Sequence, residues 1–127
     1  ANRLFFKPMI NAMTTVTLYH NPHCSKSRAV LARIRAAGIE PHIVEYLNGG
    51  LDGDTLAQLL QQSGVNAQDA IRQDHEAYAQ YVAQQNLSEA ECIALMVRYP
   101  ALLNRPFVQS DKGAALCRPP ELVDNLL

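Results

Sequence analysis

Two short β-branched runs flanking one amphipathic stretch constrain this chain more than any other feature. Residues 14–20 (TTVTLYH) alternate with period two, the signature of a strand. Asn21-Pro22-His23 is a turn signal. From Ser25 a helical period sets Val30, Leu31, Ile34 and Ala37 on one face, with Gly38 as its stop. Residues 41–47 (PHIVEYL) form a second strand, broken by Asn48-Gly49-Gly50. Two strands joined through a helix must run parallel, with a right-handed crossover.

The rest of the chain completes that unit. A helix over 54–63 carries Leu56, Leu59 and Leu60 and ends at Gly64. A second, over 74–84, brings Tyr78, Tyr81 and Val82 together. Ser88 with Glu91 is a capping box, in which hydroxyl and carboxylate satisfy each other's open amides. The helix it opens puts Cys92, Leu95, Met96 and Tyr99 on one stripe and stops at Pro100. Residues 105–109 and 114–117, around Ser110-Asp111-Lys112-Gly113, predict a hairpin. Pro119 and Pro120 open a last helix whose face is Leu122, Val123 and Leu126. The fold class is therefore α/β: a thioredoxin-like, mixed, four-stranded sheet, with a helical insertion between the βαβ and ββα halves.

Composition excludes several function classes. The 127 residues are 48% hydrophobic and carry a net charge of -1, so a nucleic-acid-coating role is excluded. No apolar run approaches the roughly 20 residues of a membrane helix. Cys24, Cys92 and Cys117 are an odd set without a Cys-x-x-Cys, which removes a zinc knuckle and a local dithiol pair. No metal site or bound cofactor is expected. Unpaired thiols without a signal peptide suit the cytoplasm. Residues 1–12 (ANRLFFKPMINA) read as an upstream extension, an expression remnant or an early translation start, ahead of one domain over 13–127.

The chemistry lies in residues 20–28, His-Asn-Pro-His-Cys-Ser-Lys-Ser-Arg. Cys24 sits between a strand end and the first turn of a helix, where open amides and the helix dipole favour an anion. Lys26, Arg28, His20 and His23 add basic groups. All of these favour thiolate, and a free thiol with pKa near 8.5 is only about 3% ionised at pH 7. The same loop suits an oxyanion ligand. Cys92, on an apolar stripe, and Cys117, in a short strand, read as small core residues instead.

The segment TLYHNPHCSKSR resembles the active-site segment of the glutaredoxin-linked arsenate reductases, the thioredoxin-fold ArsC family. Residues 100–106 (PALLNRP) and 116–119 (LCRP) resemble that family's later motifs, in order, and Arg72 fills its remaining basic position. The resemblance spans residues 14–126. It implies that Cys24 is the nucleophile, that His20, Ser27 and Arg28 stabilise the thiolate, and that Arg72, Arg105 and Arg118 bind the oxyanion. It also implies a cis Arg105–Pro106 bond, glutathione as co-substrate, a mixed disulfide on Cys24 and glutaredoxin as the protein partner. Guanidinium forks match oxyanion geometry, and each at ~4 Å supplies on the order of 4 kcal/mol of gross attraction.

Three alternatives share parts of this pattern. Phosphatase-like arsenate reductases use Cys-x5-Arg, but Val30 occupies that arginine position. Spx-type regulators, which bind RNA polymerase, carry Cys-x-x-Cys, where this chain has Ser27. The loop form Cys-Ser-Lys-Ser-Arg resembles that of a related subgroup, and a thiol-disulfide oxidoreductase, a deglutathionylating protein or a protein acting on another oxyanion would use the same residues.

Overall fold

A computed structural model describes residues 15–83 and 85–127, and these divide into two compact units. Thr14 and the 1–12 extension lie outside the described residues.

The first unit comprises residues 15–44 and 105–127. It holds β1 (Val16–Tyr19), α1 (Ser25–Ala36), β2 (His42–Val44), β3 (Phe107–Ser110) and β4 (Gly113–Leu116). Strand order is β2-β1-β3-β4. β1 runs parallel to β2, with Leu18 beside Ile43, and antiparallel to β3, with Leu18 beside Val108. The crossover through α1 thus has the parallel sense that its connection demands. One sheet face packs on α1 and the C-terminal turn: Val16, Leu18, Val30, Ile34, Val108, Cys117, Val123 and Leu126 form its core.

Several elements differ from expectation for physical reasons. β2 is an edge strand and stays in register with β1 for three residues only. Its predicted end at 46–47 instead enters a 3-10 turn, Tyr46–Asn48. Ala37 is exposed and caps α1 rather than adding to its face, and Gly38 follows with φ 82, a left-handed value suited to glycine. The last helix is a 3-10 helix, Pro120–Leu126. Its residues eclipse every third position, so Pro120, Val123 and Leu126 are buried while Leu122 is 40% exposed. The expected face at Leu122 is corrected to Pro120.

The second unit, Glu45–Asn104, is helical: α2 (Gly53–Ser63), α3 (Glu76–Tyr81) and α4 (Glu89–Arg98). α2 starts earlier than predicted because the Asp52 carboxylate accepts the Thr55 amide at 2.8 Å. It ends at Gly64 with φ 68. α3 is shorter than expected. His75 caps it through a ring nitrogen, at 3.1 Å from the Ala77 amide, and the predicted end at Gln84 lies outside the described residues. The Ser88–Glu91 capping box forms as the sequence predicts. Cys92 and Met96 are buried on the α4 stripe, whereas Leu95 and Tyr99 are half-buried. Ile71 bridges Leu103 in antiparallel fashion, and the Arg72 amide donates to Leu102 O at 2.7 Å.

Candidate active site

The β1–α1 turn positions the reactive group. Cys24 is the N-cap of α1, with extended φ -97 and ψ 124, and only 8% of it is exposed. Asn21 shapes the turn. Its carbonyl accepts the Cys24 amide at 3.0 Å, and its side-chain oxygen accepts the His23 amide at 3.0 Å. The sequence marks Asn21 as a turn former. Its role as organiser of the loop emerges only from these bonds.

Burial of the sulfur pushes the Cys24 pKa up, yet the net direction is down. The Ser27 amide, the Arg105 charge, the Lys26 amide and a hydrogen bond from the Arg105 side chain together outweigh desolvation. The two amides are those of the first helical turn, where open N–H groups favour an anion.

Ser27 is fully buried, and its hydroxyl serves the loop. It accepts the Asn21 amide at 3.1 Å and shares a 2.6 Å hydrogen bond with His20 Nδ1. Ser27 thus favours the thiolate through its backbone, and His20 reaches the site through the Ser27 hydroxyl. The His20 amide donates to Val44 O at 2.8 Å, which ties the end of β1 to β2. Arg28 is exposed and donates to the Pro22 carbonyl at 2.8 Å, bracing the loop ahead of the cysteine.

The three expected oxyanion arginines have different surroundings. Arg105 acts directly on Cys24, as above. Arg118 is exposed, and its Nη1 donates to the Arg105 carbonyl at 3.0 Å. Both Arg105–Pro106 and Arg118–Pro119 are cis; the second was not expected from the sequence. Arg72 lies in the second unit, paired with Asp74 at 3.1 Å and donating to Ala101 O at 3.4 Å.

The other two cysteines follow the core reading. All three thiols are free of disulfides. Burial pushes Cys117 up to about 12, and its thiol points to Ala115 O at 3.7 Å. Cys92 is raised by burial and by Glu89 and Glu91. Among the described residues, no cluster of three His, Cys, Asp or Glu could hold a metal, and no helix is long and apolar enough to cross a membrane.

These directions order the thiols by reactivity, because the thiolate is the nucleophile. Alkylation of the folded protein with iodoacetamide, resolved by peptide mass spectrometry, should modify Cys24 first. Its rate should reach half-maximum at a lower pH than that of free cysteine, and Cys117 should stay unlabelled through pH 9. Equal labelling of Cys24 and Cys117 at pH 7 would contradict this order.

The sequence matches the ArsC family over residues 19–126. The chain belongs to the ArsC family. Within it, the chain is similar to an arsenate reductase of Rhizobium meliloti (strain 1021), at 41% identity over 89% of this chain and 81% of that protein. It is also similar to an arsenate reductase of Escherichia coli, at 37% identity over 91% of this chain and 82% of that one. Among solved structures, arsenate reductase from Vibrio cholerae superposes with TM-score 0.84 and 36% identity, covering 90% of this chain and 98% of that chain. An ArsC-related protein from Bacteroides fragilis, 18% identical with TM-score 0.77, shares the fold. The thioredoxin-like fold of the ArsC family is thus that of this chain, as the order of its strands and helices implied.

Proposed function

We propose that this chain reduces arsenate to arsenite with electrons from glutathione. The observation that carries the reading is the Cys24 sulfur at the start of α1, its pKa lowered by two helix amides and Arg105. Its ArsC relatives, named arsenate reductases, supply the substrate class.

The reaction follows from a nucleophile placed in an anion-favouring loop. The Cys24 thiolate attacks dihydrogen arsenate. A sulfur–arsenic bond forms, one oxygen leaves as water, and arsenic stays pentavalent. A glutathione thiolate then brings the second sulfur. The two sulfurs join as a mixed disulfide and their two electrons pass to arsenic, which leaves as trivalent arsenite. A glutaredoxin thiol takes the glutathionyl group and frees Cys24.

An external thiol suits this site, because Ser27 stands where a second cysteine would close a local disulfide. A low thiol pKa also makes Cys24 a good leaving group in the last exchange. In this reading Arg105 and Arg118 supply guanidinium charge to the oxyanion, and the cytoplasm, a reducing compartment, keeps the three thiols free.

The test is a coupled assay with arsenate, glutathione, glutathione reductase, NADPH and glutaredoxin. NADPH consumption should depend on arsenate, and it should fall to background without glutathione. Arsenate-independent turnover with a glutathionylated peptide as the only productive substrate would replace arsenate reduction by deglutathionylation.

A further inference from the structure

The loop that carries Arg105 is held from one side by two consecutive residues. The sheet ladder begins at Phe107, paired with Leu116, so Arg105 lies outside it. Beyond the ladder, the Cys117 amide donates to Pro106 O at 2.8 Å. One residue on, the Arg118 side chain takes over: Nη1 donates to Arg105 O at 3.0 Å. Carbonyls 105 and 106 are therefore fixed by a side chain and a main-chain amide in succession. The Arg118 amide is itself held by Leu116 O at 3.0 Å, which anchors the base of that side chain.

We propose that Arg118 is a positioning residue, whose guanidinium clamps the Arg105 carbonyl and so keeps the Arg105 side chain on the Cys24 sulfur before any oxyanion arrives. This goes beyond a charge contribution to the anion and rests on Cys24 as the reactive thiolate. A guanidinium suits the task because its several donors sit in a rigid planar fork, so one N–H is fixed on a carbonyl at little entropic cost. Arg105 acts on the Cys24 thiol by both charge and hydrogen bond, and the contact of Arg118 with that loop is to the Arg105 carbonyl. In this proposal the influence of Arg118 on the free thiol passes through that bond to Arg105. The other groups that lower the Cys24 pKa, the Ser27 and Lys26 amides, belong to α1 and lie outside the clamp.

The experiment measures the pH dependence of iodoacetamide alkylation at Cys24 in the full chain, without oxyanion, for wild type, Arg118→Met, Arg105→Gln and the double variant. Arg118→Met, which keeps the apolar stem without a donor, should shift the Cys24 profile to higher pH, slowing alkylation at pH 7 by about threefold or more. The double variant should move no further than Arg105→Gln alone, the non-additivity of residues acting in series. An unshifted profile in Arg118→Met, or additive shifts in the double variant, would overturn the clamp. Arg118→Leu also lacks the donor and gives the same test if the Met variant is unstable. A wild-type profile at the pH of free cysteine would instead remove the reactive thiolate itself, which separates failure of that reading from failure of the clamp alone.

Discussion

Cys24→Ser should lose arsenate-dependent NADPH consumption by about 10³-fold or more while remaining folded. A serine hydroxyl is un-ionised near neutrality, so the amides of Ser27 and Lys26 and the Arg105 charge would have no anion to stabilise. It also forms no sulfur–arsenic bond and no mixed disulfide, so both covalent steps vanish together. Folding should hold, because position 24 is the N-cap of α1 and serine is among the preferred N-caps. Far-ultraviolet circular dichroism and a denaturation midpoint at or above wild type would verify that. Residual turnover above about 1% would name another nucleophile, and Cys92 and Cys117, both buried and raised, are poorly placed to be one.

The second large effect is on stability. Ile34 is fully buried on α1, in the cluster with Leu18, Val30 and Val108. Ile34→Ala should destabilise the protein by about 2–5 kcal/mol, the lost transfer energy of the methyl groups plus the cavity left behind. Ile34→Val should cost only about 0.5–1.5 kcal/mol. Urea titration would read both, with lower midpoints and unchanged slopes. Equal effects of the two substitutions would mean that the helix relaxes into the space. α1 supplies the Ser27 and Lys26 amides to Cys24, so the site and the core share one element.

The sequence carried much of this protein in local patterns. Alternation over 14–20, the 3.6-residue spacing of Val30 and Ile34, and the Ser88–Glu91 cap each depend on neighbours within a turn or a strand. These recur in the structure at Val16–Tyr19, Ser25–Ala36 and Glu89–Arg98. The position of Cys24 before a helix was legible for the same reason: chain order alone puts it at the N-cap. Element ends were less legible. The β2 end depends on how far its one partner runs alongside, and the 3-10 form of Pro120–Leu126 depends on what it packs against.

The sequence by itself determined the parallel crossover, the hairpin and a cysteine at a helix start, since each follows from residue order and period. Only the tertiary structure decided which cation acts on that cysteine. Lys26 and Arg28 are nearest in the chain, yet the Lys26 contribution comes from its amide and Arg28 braces Pro22 O. Arg105, far away in sequence, supplies the charge because β3 runs beside β1 and brings the loop before Phe107 to the end of Tyr19. Side-chain reach and competing hydrogen bonds set electrostatic partners, and neither can be read from spacing along the chain.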